Sequence, residues 1–351
     1  MRPPKPPRRP TMADVGRLAG VSATTVSFVL NPQSTQSISA ATRARVLQAV
    51  NDLDYRPNRA AQGLRGKRTG TIGVVVDETP MEIFAGLTVA GAHDVAWGNG
   101  SVMLVTHTNQ DLSLLQAAAE ELADRQVDGL MFVASGTRRM TLPRSTMATP
   151  SVLVNCFSED ETWPMVLPDE VGGGAAAVGQ LIAAGHTRIA FLTGRSGAWA
   201  TQKRLEGHRK AIAEAGLNKS DQIELTGNYY LDSGYQLTKE LLAKPQRPTG
   251  IVCGNDRMAV GCYLALLEAG VRIPQEMSVV GYDDHEPTVM QLNPALSTVR
   301  LPLYEMGRLG ADMLLGNRDA DKPTHTYLHC PPVPRRSVAP PSPAGSPPAS
   351  R

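Results

Sequence analysis

Across residues 71–284 short apolar runs alternate with longer amphipathic stretches, and this alternation constrains the fold more than any other feature. TIGVVV from Thr71, SVMLVTH from Ser101, GLMFVAS from Gly129, SVLVNC from Ser151 and MVLP from Met165 have the β-branched character of strands. Residues 84–97 and 112–125 have helical spacing between them. A second series follows: helix 172–184, strand RIAFLTG, helix 200–215, strand QIELTG, helix 233–243, strand GIVCGN, helix 258–269 and strand MSVVGYDD. Long crossovers are what parallel strand pairs require. Runs apolar at every position suit strands covered on both faces. The pattern therefore predicts an α/β core of two doubly wound parallel-sheet lobes, each offering its strand C-terminal ends to a cleft between them.

The first 56 residues follow a different pattern. Thr11 and Asp14 form a capping pair for a first short helix, Gly20 sits at a corner, and Ser22 can cap a second helix running to Leu30. Val15, Leu18, Val21, Val26 and Leu30 fall on helical spacing and are expected to pack these helices together. A third helix is expected from Ser39, with Ala41, Val46, Leu47, Val50 and Leu53 facing the other two. Ala23, Thr24, Ser27 and Phe28 are left on the outer face of the second helix, small enough at its start to enter a DNA major groove. A generic helical hairpin fits these residues about as well.

Charge separates the two readings. Residues 1–70 hold 12 lysines and arginines against 3 aspartates, a net +9, while the remainder carries 23 basic and 30 acidic residues, a net −7. A basic head on an acidic body is the footprint of a polyanion-binding module joined to something else. The basic tail at residues 1–10 explains only part of it, because Arg43 to Arg68 are interleaved with helical apolar residues.

Other classes are poorly supported. No run reaches the ~20 apolar residues of a membrane span, and MRPPKPPRRP is followed by no apolar stretch, so a cytoplasmic location without membrane attachment is expected. Cys156, Cys253, Cys262 and Cys330 have no CxxC spacing and read as buried thiols; no metal or other cofactor is expected. Residues 172–174 are three glycines without the G-x-G-x-x-G pattern of a dinucleotide-binding enzyme, and no nucleophile–base set stands out. A periplasmic solute-binding protein would need a signal peptide and no basic head.

Six motifs in one order then carry a family resemblance. They are TMADVGRLAGVSATTVSFVLN from Thr11, YRPNRAAQGLR from Tyr55, GHTRIAFLTG from Gly185, RLEG from Arg204, NDRMAVG from Asn255 and VVGYDD from Val279. Over residues 11–338 the chain resembles transcription regulators of the lactose-repressor (LacI/GalR) family. The resemblance implies an N-terminal all-α helix-turn-helix head, a hinge, and a periplasmic-binding-protein-like α/β core that dimerises and binds an effector. The expected divisions are a disordered basic tail at 1–10, the DNA-binding head at 11–57, a hinge at 58–69, the core at 70–338 and a disordered tail at 339–351. The expected function is a sequence-specific regulator, a repressor, whose affinity for a double-stranded operator is switched by a small effector. A homodimer is expected, because the Pro-rich tail lacks apolar heptads for a coiled coil.

The resemblance places Ala23, Thr24 and Phe28 against base edges. Many relatives carry Arg or His at the position of Phe28; Phe makes only apolar contacts, for example with a thymine methyl, so a different half-site is implied. Ser22, Thr25, Ser27 and Asn31 are assigned either to phosphates or to caps. In the linker, Leu64 occupies the position of the family's minor-groove wedge, flanked by Asn58, Arg59 and Arg65. Gly63 costs a linker helix roughly 1 kcal/mol relative to Ala, which suits a helix formed only on DNA.

For the effector the resemblance and the strand ends point to Arg204, Asn255 and Asp283, with Tyr229 as a stacking aromatic and Asn155 as a polar contact near the crossover. Guanidinium, carboxamide and carboxylate can bind vicinal hydroxyls. Trp199 is a further stacking candidate, equally a core or surface residue. Asp256 and Asp284 read as structural. Relatives often carry Asn-Pro-Phe-Phe after the first strand; here Met81-Glu82-Ile83-Phe84 stands there, and Phe84 fits a cleft or a core role. A sugar is the expected effector, with a purine or other metabolite as the alternative.

Overall fold

The computed structural model describes residues 8, 10–30, 36–56, 68–78, 83–143, 146, 148–159, 163–316 and 325–342. The chain divides between Gly70 and Thr71 into two compact units.

The first unit is helical. Helix α1, Met12–Ala19, opens on a complete capping box: Asp14 N–H donates to Thr11 Oγ1 at 3.3 Å and Thr11 N–H donates to Asp14 Oδ2 at 2.9 Å. It ends at Gly20, whose φ of 65° is the left-handed conformation a C-cap needs. Helix α2, Ala23–Leu30, is capped by Ser22 Oγ, which accepts from Thr25 N–H at 3.1 Å. Helix α3, Ala40–Asp52, is capped by Ser39 through Thr42 N–H. Val15, Ala19, Val26, Val29, Val46, Ala49 and Tyr55 form the core.

Three expected core positions are not in it. Leu18 is 55% exposed, Leu47 is 44% exposed, and Ala41 is also exposed. The helices cross closely enough that a Cβ on Gly16 would stand 2.7 Å from Val21 O. So close a crossing buries a narrow arc, which Ala19 at i+4 from Val15 enters and Leu18 at i+3 does not. Val46 and Ala49 fill the equivalent arc of α3, with Leu47 turned about 100° away.

In the second unit, β1 is Thr71–Val76, α4 Ile83–Gly98, β2 Val102–His107, α5 Leu112–Asp124, β3 Gly129–Arg139, β4 Ser151–Phe157 and β5 Met165–Pro168. The second series is α6 Glu170–Ala183, β6 Ile189–Thr193, α7 Trp199–Glu214, β7 Ile223–Thr226, α8 Leu231–Ala243, β8 Gly250–Cys253, α9 Asp256–Glu268 and β9 Ser278–Val280. The remaining elements are α10 Glu286–Val289, β10 Thr298–Val299, α11 Leu303–Leu314, β11 His325–Leu328 and β12 Pro332–Val333.

The first-lobe sheet has the order β11-β5-β4-β3-β1-β2 and the second-lobe sheet β7-β6-β8-β9, with every pairing parallel. Alternation along each strand feeds two cores. Val74, Val76, Met131 and Val133 face α4 and α11, whereas Val75, Leu130 and Phe132 face α5. In the second lobe Ala190, Leu192 and Ile251 face α8 and α9, and Ile189, Phe191 and Val252 face α6 and α7. The four cysteines are free and buried, as expected.

The structure departs from the predicted elements in three places. The strand at MSVVGYDD stops at Val280, where pairing with β8 ends; beyond it Gly281 N–H donates to Ser297 O and Asp283 N–H to Val299 O. Strand β2 is a sheet edge with Val102, Leu104 and Val105 exposed, so it is not covered on both faces. The lobes are also not simply sequential. After β10 the chain returns to the first lobe, where α11 packs on α4 and β11 adds beside β5, before β12 pairs with β10. No helix was expected after residue 269.

Packing also buries an ionisable group. His208 on α7 stacks on Phe191 of β6, ring centroids 4.7 Å apart, and burial pushes its pKa down to about 4. A folded-state pKa below the ordinary value of 6.5 gives stability that is present above pH 6.5 and lost as pH falls towards 4. In His208→Phe the stack persists and the titration does not. The unfolding free energy of the variant relative to wild type, from urea titrations, is therefore expected to rise by roughly 2–3 kcal/mol between pH 6.5 and 4. A pH-independent difference would refute this.

Candidate functional site

In the head, α2 leaves Ser22, Ala23 and Thr24 exposed and Thr25, Ser27 and Phe28 half-buried. Thr24 and Phe28, one turn apart, lie on the side opposite the buried Val26, and Phe28 stands outside the head's apolar cluster. Ser22 and Thr25 are engaged with one another, their hydroxyl oxygens 2.9 Å apart, in addition to the cap. Asn31, Asn58, Arg59, Leu64 and Arg65 lie outside the described residues.

Part of the basic charge of the head serves the fold. Arg43 donates to Val29 O and Arg45 to Ala19 O, both at 3.3 Å, so two arginines of α3 reach the C-terminal carbonyls of α2 and α1. Those carbonyls lack partners within their own helices and lie at the negative ends of the dipoles. Arg17 pairs with Asp14 at 3.2 Å.

The second lobe gathers Arg204, Tyr229, Asn255 and Asp283 at the C-terminal edge of its sheet. Two reciprocal close approaches of α6 and α7, and a third against Tyr282, position the first of these. A Cβ on Gly174 of α6 would meet Arg204 O, one on Gly207 of α7 would meet Val171 O, and one on Gly173 would meet the Tyr282 hydroxyl. Only glycine permits this crossing. It brings Glu170, in the first turn of α6, against Arg204 of α7. Arg204 Nε donates to Glu170 Oε2 at 2.7 Å and Nη2 to Oε1 at 2.9 Å, while Nη1 donates to Gly254 O at 2.7 Å. Asp283 Oδ1 lies 3.6 Å from Nη1, and the guanidinium rests 3.7 Å from the Tyr282 ring centroid.

The other three candidates have defined partners. The Tyr229 hydroxyl lies 2.6 Å from Thr201 Oγ1, and its ring crosses Gly194, where a Cβ would collide with it. Asn255 caps α9 by accepting from Met258 N–H at 2.9 Å, and its amide donates to Tyr229 O at 3.1 Å. One amide N–H therefore remains for a ligand. Burial raises the Asp283 carboxyl well above the usual carboxylate range. Asp256 and Asp284 are structural, as expected. Asp256 accepts from Thr298 Oγ1 and His285 N–H, and Asp284 pairs with Arg300 and Arg335. Burial pushes Asp256 up to about 7.

In the first lobe, Asn155 at the end of β4 accepts from Thr137 Oγ1 at 2.6 Å and donates to Ala134 O at 2.9 Å. Phe84 is half-buried on the first-lobe core, and the guanidinium of Arg257 from α9 stands 5.7 Å from its ring centroid. It packs on the core, with one side of its ring towards α9. Trp199 at the start of α7 meets Phe157 at the end of β4, centroids 5.7 Å apart. Asn155, Tyr229 and Asp283 all have positive φ, of 57°, 73° and 110°. Strained backbone of this kind collects at ligand sites.

Glu170, Phe157 and Arg257 were not anticipated. Nothing local in the sequence distinguishes Glu170 from an ordinary first-turn acid; its partner lies 34 residues away. A separate cavity of about 190 Å³ opens in the first lobe at the ends of β1 and β3, between Asp77, Thr108, Arg138 and Met140, and none of the six effector candidates lines it. Arg138 pairs there with the buried Asp77 at 3.0 Å.

Breaking the central pair leaves an uncompensated buried charge. Arg204→Met is expected to cost about 3–5 kcal/mol in urea unfolding, and the double variant with Glu170→Met to recover most of it. Equal losses in single and double variants would show that the pair is not the reason.

Comparisons with known proteins agree with this architecture. The family of bacterial regulatory proteins called lacI matches residues 11–58, and a periplasmic binding protein-like domain matches residues 178–338. The ribose operon repressor of Escherichia coli (strain K12) is 34% identical over 307 residues, covering 87% of this chain and 92% of its own. The transcriptional repressor PurR of Vibrio cholerae serotype O1 (strain M66-2) is 32% identical over 307 residues, covering 87% and 90%. The Lac repressor dimer bound to operator and the anti-inducer ONPF superposes with a TM-score of 0.79 at 27% identity, covering 95% of this chain and all of that one. A LacI-family regulator from Enterococcus faecium with bound ribose gives 0.62 at 26%, covering 77% and 99%. The chain belongs to the LacI family of DNA-binding transcriptional regulators.

Proposed function

We propose that this regulator is a repressor that binds its operator as a homodimer and is switched by a sugar held between the lobes of its core. The observation that carries the sugar reading is the fixed set at the sheet edge, a guanidinium and a carboxyl 3.6 Å apart beside the Tyr229 ring. Such a set matches vicinal hydroxyls and the apolar face of a pyranose or furanose. Its similarity to the ribose operon repressor supports this. The similarity to PurR, nearly as high, supports a purine as the second reading.

Dimerisation is supported by exposed apolar side chains along one edge of the first lobe, Val102, Leu104 and Val105 of β2 with Leu87 and Trp97 of α4, and by Leu264 and Leu267 of α9. The Lac repressor neighbour is itself a dimer on operator. The domain roles follow the expected divisions: 11–57 reads DNA, 58–69 is a hinge with Leu64 as wedge, and 70–338 binds effector. The protein acts in the cytoplasm. Effector binding shifts the population of lobe arrangements, and with it operator affinity.

Selection of bound sites from random DNA, followed by competition with a panel of sugars and purines, tests the assignment. A fragment of residues 70–351 is expected to lose operator binding; retained binding would sink the regulator reading. Log affinity of the full chain should fall steeply and linearly with log salt, since phosphate contacts release counterions. Phe28→Ala is expected to weaken binding to the selected site by about 1–3 kcal/mol and leave non-specific affinity unchanged. An equal loss on random DNA would remove Phe28 from base recognition.

A further inference from the structure

The fork of Arg204 is occupied by the protein itself. Two N–H groups on one edge of the guanidinium are donated to the two oxygens of Glu170, and a third to Gly254 O. Both side chains are almost wholly buried, at 6% and 2% exposure. A guanidinium recognises a carboxylate or phosphate through parallel N–H groups, and here an internal carboxylate holds that edge. Asp283 Oδ1 approaches the same guanidinium, 3.6 Å from Nη1. Arg204 therefore faces two carboxyls, those of Glu170 and Asp283. An anionic ligand would meet Glu170 where it needs donors, and like charges in a desolvated site repel strongly. An uncharged hydroxyl can still accept from a remaining Nη N–H and donate to Asp283.

We propose that Glu170 is a specificity-determining residue: by holding the fork of Arg204 it restricts the effector to an uncharged polyhydroxy compound and excludes sugar phosphates and sugar acids. The inference rests on the cleft being a sugar site. Glu170→Gln keeps the side-chain shape and frees the guanidinium charge, whereas Glu170→Asp keeps the carboxylate.

The test is thermal stabilisation and calorimetric titration of the full chain with inorganic phosphate, D-ribose, D-ribose 5-phosphate and hypoxanthine, at ionic strength matched with chloride. Wild type and Glu170→Asp are expected to bind the neutral sugar and show no phosphate response beyond that of chloride. Glu170→Gln is expected to bind phosphate and ribose 5-phosphate at least about tenfold more tightly than wild type does. Equal phosphate binding by wild type and Glu170→Gln, or no gain in the latter, overturns the assignment. A response of wild type to hypoxanthine and to no sugar overturns the sugar reading, while the phosphate arm still decides the role of Glu170. Should Glu170→Gln not fold, wild type decides: ribose 5-phosphate bound as well as ribose, or neither bound, overturns the proposal, and a preference for ribose of about tenfold or more upholds it.

Discussion

The buried ion pair between Arg204 and Glu170 organises the second lobe. Desolvating two charges costs about as much as their attraction returns, so such a pair is a weak source of stability. Its effect is geometric. Glu170 opens α6, Arg204 lies in α7, and the glycines at 174 and 207 let those helices approach until the side chains meet. Gly254 O, Asp283 and the Tyr282 ring then surround the guanidinium, each delivered by a strand end of the same sheet. Of the three consecutive glycines, which fit no nucleotide-binding pattern, Gly174 serves this crossing, Gly173 makes room for the Tyr282 hydroxyl and Gly172 for the Asp169 cap.

The head shows a related economy of charge. Within its net +9, Arg43 and Arg45 bind carbonyls at the ends of α2 and α1, and Arg17 binds Asp14. The exposed start of α2 and family membership point to DNA more directly than total charge does. Helices of eight residues have few internal hydrogen bonds, and the arginines supply what the helices cannot.

Return of the chain to the first lobe through α11 and β11 gives that lobe six strands to the second lobe's four. It also ties the lobes together by more than one segment. Contacts such as Arg257 on Phe84 and Trp199 on Phe157 then bridge them with side chains that can separate without disturbing either core.

Local signals determined much of this protein in advance. Apolar runs spaced by helices specify parallel lobes, and Thr11, Ser22 and Ser39 mark three helix starts, because periodicity and capping involve residues only a few positions apart. Arg204, Asn255 and Asp283 could be placed at strand ends or helix starts for the same reason. The pairing of Glu170 with Arg204, the exposure of Leu18 and Leu47, the engagement of Asn155 and Asn255 with the protein's own groups, and the strand added by residues 325–328 were decided only by tertiary structure. Each depends on how closely two distant elements approach, and neither hydrophobic period nor motif spacing carries that distance.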